Sequence, residues 1–106
     1  MNINRLKMLQ EMLELSPNDS FLLYALAKEF EYGNDDDQAL VVYLRLKESD
    51  PHYIGLYYHL GKLYEKKNDV TKALETYTEG IEISKKIKDF HALSELNTAK
   101  LNLEIE

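Results

Sequence analysis

The feature that most constrains this chain is an internal repeat with a period of 34 residues. When the sequence is shifted by 34 positions, residues 17–50 superpose on residues 51–84 with 12 identities, Tyr24 on Tyr58 among them. A repeat of this length is the size of one helical hairpin, and such a unit can bury its apolar face only against a neighbour. The chain is therefore expected to be a stack of similar units.

Within each copy, apolar residues recur every three or four positions, which indicates two amphipathic helices separated by a polar break. The break covers residues 33–37 in the first copy and 66–69 in the second. Each copy begins with a proline, Pro17 or Pro51, that follows a residue of the capping type, so each first helix is predicted to start at its proline. Similar apolar stripes flank the two copies. The six helices predicted in total span residues 2–15, 18–33, 36–49, 52–67, 70–86 and 90–104.

Several positions that repeat in step resemble the tetratricopeptide repeat. They are a small residue after leucine, an aromatic residue three positions later, an alanine that opens the second helix, an aromatic residue in that helix, and an Asp-Pro pair that ends the copy. These positions hold Leu26-Ala27 and Leu60-Gly61, Phe30 and Tyr64, Ala39 and Ala73, Tyr43 and Tyr77, and Asp50-Pro51. The second copy departs at its end, where Lys85 stands in place of the proline. The resemblance implies an all-α antiparallel helix-hairpin solenoid.

The same resemblance implies a single domain that covers the whole chain. Its parts are an N-terminal flanking helix in 1–16, a first repeat in 17–50, a second repeat in 51–87 and a C-terminal capping helix in 88–106. The leucines of the last helix face inward only if the strict period shifts by two residues. We attribute this shift to a longer turn at residues 87–89, with Asp89 as the cap of the last helix.

In the tetratricopeptide family, the first helix of each hairpin lines a concave groove that holds a partner segment. The candidate binding residues are therefore those that alternate with the core positions of these helices. The first copy supplies Phe21, Tyr24, Ala25, Lys28 and Tyr32, and the second supplies Tyr58, His59, Lys62 and Lys66. With the shifted register, the last helix would extend this wall through His91, Ser94, Glu95 and Thr98.

The candidates also have a purely structural interpretation. Tyr24 and Tyr58 could be packing residues, and each lysine could only pair with a glutamate one turn on, as Lys62 with Glu65. In the binding interpretation, aromatic rings beside ammonium groups suit a protein or peptide with apolar anchors and an acidic or terminal carboxylate group.

The rest of the sequence argues against catalysis and against other kinds of partner. The net charge of −6 would repel a phosphate backbone, so we expect no nucleic-acid binding. There is no cysteine, the three histidines lack metal-site spacing, and Asp35-Asp36-Asp37 is interpreted as a solvated turn that caps the next helix. No apolar run is long enough to span a membrane. We therefore expect a cytoplasmic protein that is not an enzyme and that needs no cofactor.

These observations predict a non-catalytic module that binds another protein or a peptide. The alternative is a self-associating scaffold that forms a weak homodimer through its end helices, around Met8 and Met12. A third interpretation, a minor hydrolase or ligand sensor, requires a turnover that is lost when His59 is replaced by alanine.

Overall fold

The computed structural model describes residues 2–106, and in these residues it contains six α-helices and no strand. The helices are α1 (Ile3–Leu15), α2 (Ser20–Tyr32), α3 (Asp36–Ser49), α4 (Gly55–Lys66), α5 (Val70–Ile87) and α6 (Phe90–Glu104). The prediction of an all-α fold with six helices is confirmed.

The helices form two compact units, of which one ends at Tyr53 and the other begins at Ile54. In the first unit, α2 packs against both α1 and α3. In the second unit, α5 packs against α4 and α6, and α4 also contacts α6. The boundary lies close to the start of the second sequence repeat. A single continuous domain stays a prediction.

The first helix of each repeat, α2 or α4, starts later than predicted and after the proline of that repeat. Helix α2 begins at Ser20 because the Asp19 carboxylate caps it, accepting a hydrogen bond from the amide of Leu22 at 3.0 Å. Helix α4 begins at Gly55 without a side-chain cap. The Asp50 carboxylate accepts a hydrogen bond from the Ser20 hydroxyl at 2.6 Å, and Asp50 is the C-cap of α3. The prediction that the prolines open these helices is therefore wrong.

The remaining predicted helix starts agree with the structure to within one residue. Asp35, Asp69 and Asp89 each cap the following helix through the side chain. The cap at Asp89 was predicted, and the acidic turn caps α3 as predicted but through its first carboxylate and not its last. The predicted longer turn before α6 is wrong, because only Lys88 and Asp89 separate α5 from α6. The extra residues lengthen α5 to 18 residues, against 14 for α3.

Small residues allow the two helices of each repeat to lie close together. Ala27 and Ala39 in the first unit, like Gly61 and Ala73 in the second, are buried. A Cβ atom added at Gly61 would overlap the ring of Tyr77, which is itself fully buried on α5. The close approach predicted from these small residues is therefore present in the second unit.

Candidate functional site

An open cleft of about 260 Å³ lies between α4 and α6 in the second unit. Helix α4 contributes Tyr58 and Lys62 to its walls, and α6 contributes His91, Ser94, Glu95, Thr98, Ala99 and Asn102. The structure thus brings the tyrosine and lysine predicted from the second repeat together with the four residues predicted from the last helix.

The helix period explains why these residues share the cleft. Tyr58 and Lys62 are four residues apart on α4 and so project from the same face. The opposite face of α4 carries Leu60 and Leu63, which are buried. On α6, the cleft residues follow one another at helical spacing, while Leu96 points into the core. The cleft therefore has a rigid helical wall on each side.

Lys62 is the basic residue of α4 in this cleft, and two groups hold its ammonium. Its Nζ lies 5.6 Å from the centre of the Tyr58 ring, within the range of a cation–π interaction. The same Nζ is 3.6 Å from Oε2 of Glu65, so the predicted pairing of these two residues is confirmed. The hydroxyl of Tyr77, on α5, donates a hydrogen bond to the same Glu65 oxygen. Burial of Tyr77, together with its bond to Glu65, raises the pKa of its hydroxyl.

The other two candidates from the second repeat lie outside the residues that line this cleft. His59 is half-buried, and its ring meets the Tyr58 ring edge-on with the centroids 5.5 Å apart. Lys66 is exposed in the last turn of α4. His59 therefore packs beside Tyr58, whereas Lys66 is a surface residue one turn beyond Lys62.

The candidates from the first repeat have a different arrangement, although the sequence is repeated. Tyr24 is half-buried, and its ring packs against Tyr53 at 5.4 Å and against Tyr43 at 6.5 Å between centroids. The ammonium of Lys28 lies 5.3 Å from the ring centre of Tyr32, one turn further along α2. Tyr24 thus contacts two aromatic rings of the first unit, and Tyr32 lies beside Lys28.

The hydrogen bond from tyrosine to glutamate is the same in both repeats. The hydroxyl of Tyr43 donates to Oε2 of Glu31 at 2.5 Å, as that of Tyr77 does to Glu65. Burial and this bond also raise the pKa of Tyr43. Each bond joins the two helices of one hairpin.

The two remaining candidates of α2 are Phe21 and Ala25. Ala25 is partly exposed. Phe21 is exposed and lines a second open cavity of about 460 Å³ in the first unit. Met12, Leu15, Ser16, Asp19 and Leu22 complete the lining of this cavity. Phe21 is therefore on an apolar surface near the end of α1.

Two cleft residues and one buried carboxylate were not among the residues predicted from the sequence. Asn102 and Ala99 line the cleft of the second unit, and the helical spacing from Thr98 could have identified Asn102. Glu29 is only 3% exposed; it accepts a hydrogen bond from the amide of Asn2 at 2.7 Å and pairs with Arg5 at 3.5 Å.

Among residues 2–106, no three histidine or acidic side chains are grouped so that they could hold a metal ion. In the same part of the chain, every helix is too short or too polar to cross a lipid bilayer.

The chain is similar to known proteins in sequence and in fold. Residues 54–87 match the family model described as tetratricopeptide repeat. No curated protein matches the chain. The solution structure of a tetratricopeptide repeat domain protein from Salinibacter ruber is 44% identical, with a TM-score of 0.80 over 83% of this chain and 89% of that chain.

Two further solved structures, both of complexes, share the fold at lower identity. The TPR2B domain of yeast Sti1, in complex with pHsp70, is 17% identical, with a TM-score of 0.87 over 95% of this chain and 81% of that chain. PcrH, in complex with the chaperone binding region of PopD, is 13% identical, with a TM-score of 0.88 over 96% of this chain and 77% of that chain.

Proposed function

Because this chain belongs to the tetratricopeptide repeat family, we propose that it is a non-catalytic module that binds a segment of another protein in the cleft between α4 and α6. The observation that carries the proposal is the cleft itself, in which Tyr58 and Lys62 face a polar wall of α6. The fold relatives solved with pHsp70 and with a PopD segment support a role in protein recognition. We also propose that the protein is cytoplasmic.

The dimensions of the cleft favour a short segment. The residues of α6 that line it run from His91 to Asn102, and at about 1.5 Å per residue they cover about 16 Å. An extended peptide rises about 3.3 Å per residue, so about five residues fit along this wall. Ser94, Thr98 and Asn102 offer hydrogen-bonding side chains, and the Tyr58 ring offers an apolar contact. A contact of this size gives modest affinity unless a second surface contributes.

A second contact of the same chemistry is available in the first unit. Lys28 and Tyr32 form a cation–π pair on α2, and Phe21 and Ala25 are accessible on the same helix. We propose that these residues and Tyr24 form a separate binding surface. On α4, His59 and Lys66 would flank the residues that contact the bound segment.

The proposal is tested by reversing the charge of one lysine in the cleft. Lys62→Glu should reduce the capture of a native partner from lysate, and adding Lys28→Glu should abolish it. Lys86→Glu is the matched control, because it makes the same charge change in the second unit at an exposed residue of α5 that lies outside the cleft lining. Equal loss of capture in both single variants, with helicity retained in the circular dichroism spectrum, would contradict binding at the cleft.

A second candidate function, self-association, is favoured by the apolar surface of α1. Met8, Met12 and Leu15 follow one another at helical spacing and are exposed, Leu15 to 88%. Sedimentation equilibrium at micromolar concentration separates the candidates. A tight dimer that Met12→Glu dissociates would favour the scaffold over the partner-binding module.

A further inference from the structure

We propose that a second copy of this chain packs on the outer face of α6, with the two α6 helices antiparallel about a twofold axis at Asn97. The inference goes beyond the proposed function, because this face of α6 lies outside the residues that line the cleft. It also differs from the self-association considered for α1, since a different helix forms the interface.

An apolar stripe runs along the outer face of α6. Phe90, Leu101 and Ile105 are exposed to 68%, 58% and 73%. They lie at helical spacing on either side of Asn97, and Ile105 keeps right-handed helical backbone angles at the C-cap. The opposite face of the helix is buried in the core of the second unit. Three large apolar side chains on the outer face of one helix are typical of a docking surface.

The stripe is nearly symmetric about Asn97. Phe90 lies seven residues before Asn97 and Ile105 lies eight residues after it, so they are about 10 Å and about 12 Å away along the helix. In an antiparallel pair, each Phe90 therefore meets the Ile105 of the other copy. The half-buried Leu93 meets Leu101 in the same way, since these two residues lie four positions before and after Asn97. A self-complementary patch of this kind suits an isologous dimer.

Asn97 suits the centre of this interface. Its side chain is exposed, and its amide group contains both a donor and an acceptor. Two Asn97 side chains can therefore hydrogen-bond to each other across the twofold axis. A polar residue within an apolar stripe fixes the register of two packed helices, because a shift would leave its amide against an apolar side chain without a partner.

The charges at the two ends of α6 favour a second copy in the antiparallel orientation. Lys88 precedes the helix, Glu104 and Glu106 lie at its other end, and all three are exposed. Antiparallel packing brings the basic end of each copy to the acidic end of the other, and it also opposes the two helix dipoles. Parallel packing would instead bring like charges together. One copy thus carries both halves of the complementary charge pattern.

The interface is small, because each copy contributes one helix to it. Helix α6 has 15 residues, which corresponds to a length of about 22 Å. A contact of this length buries less than the roughly 1,200 Å² of a stable complex. We therefore expect a reversible dimer with a dissociation constant on the order of 100 μM.

Sedimentation equilibrium of the full chain, from about 10 to about 500 μM, measures this association. The wild type should pass from monomer to dimer, and Leu101→Glu should weaken the dimer by about tenfold or more, because it places a charge in the apolar stripe. Ile105→Glu is a second test variant, beyond the last turn of α6, and should act in the same direction. Met12→Glu is the control on the exposed surface of α1 and should leave the dimer unchanged. Circular dichroism melting checks that each variant keeps its fold.

Two outcomes of this experiment would overturn the inference. One is a wild type that stays monomeric at every concentration, which would leave the stripe to another protein. The other is a dimer that Met12→Glu dissociates and the two α6 variants do not, which would favour self-association through α1.

A mixing experiment tests the antiparallel orientation. Lys88→Glu and the double variant Glu104→Lys/Glu106→Lys each bring like charges together at both ends of their own dimer, so each should dimerise about fivefold more weakly than the wild type. An equimolar mixture of the two should recover the wild-type affinity, because each end of one variant meets the opposite charge on the other. Lys66→Glu makes the same change in net charge on α4 and should leave association unchanged.

A mixture that associates no better than its components would overturn the antiparallel dimer. None of the substituted residues lines the cleft between α4 and α6. Failure of either experiment would therefore leave the proposed function standing, and loss of partner capture in Lys62→Glu would leave the dimer standing.

Discussion

Replacing Gly61 by alanine tests how closely α4 and α5 approach each other. The new methyl group would overlap the ring of Tyr77, with Cδ1 and Cζ at 2.6 Å from the added Cβ. These separations are far below an ordinary carbon–carbon contact of about 3.5–4.0 Å, so either the ring or the helix must move. The ring is fully buried and its hydroxyl is bonded to Glu65, so displacement of the ring would disturb that bond.

Two effects of opposite sign determine the magnitude for Gly61→Ala. Alanine is favoured over glycine inside a helix by about 1 kcal/mol. Overpacking of a well-packed core costs about 1–3 kcal/mol, and a clash with an immobile ring belongs near the upper end. We therefore expect a net loss of about 2 kcal/mol of stability in the second unit, from the difference of these two effects.

Native-state hydrogen exchange is the appropriate assay because it reports the opening of each unit separately. Amides of α4 and α5 should exchange faster in Gly61→Ala, while those of α2 and α3 keep their protection. Ala27→Gly is the control at the equivalent position of the first repeat, and it should destabilise the first unit through lost helix propensity. Greater protection of α4 and α5 in Gly61→Ala would refute the reasoning from close packing.

Two further predictions follow from buried polar groups. Burial, and then the bonds to glutamate, raise the pKa of Tyr43 and of Tyr77 above the ordinary tyrosine value of 10.0, so their contribution to stability is fully present below pH 10 and is lost as the pH rises beyond it. Urea unfolding at pH 8 and above pH 10 should show this loss, and Tyr77→Phe should reduce it; a pH-independent midpoint would contradict it. Glu29→Leu should remove the bonds to Asn2 and Arg5 and release the first turn of α1, at a local cost of about 1.5 kcal/mol. Faster amide exchange confined to that turn would support this role, and unchanged exchange there would exclude it.

The helices and their register could be predicted from the sequence because they depend on local periodicity. The apolar spacing and the polar breaks predicted both ends of α3 correctly, and the resemblance identified the family. The pairing of Lys62 with Glu65 could also be predicted from the sequence, because residues three apart on a helix are neighbours. The starts of α2 and α4 were predicted wrongly, because Asp19 and not Ser16 caps α2, and α4 begins at Gly55 with no side-chain cap to mark it.

The environment of the repeated tyrosines could not be predicted, because it depends on residues outside the repeat pattern. Tyr24 packs against Tyr53, which precedes α4 and belongs to no predicted core stripe. Glu29 was missed for a similar reason. Its counterpart one period later is Leu63, a core residue, and the carboxylate is buried at that position because the N-terminal segment supplies donors to it.

These differences explain why two copies of one sequence pattern provide different surfaces. Both repeats contain the tyrosine, the lysine, the glutamate and the second tyrosine at the same spacing. In the second unit, α6 contacts α4 and supplies a polar wall opposite Tyr58 and Lys62. In the first unit, Tyr24 is engaged by other aromatic rings and Lys28 lies over Tyr32. In the proposed function, recognition at the cleft therefore depends on what α6 adds to the repeat, and a match to the repeated positions alone does not identify a binding site.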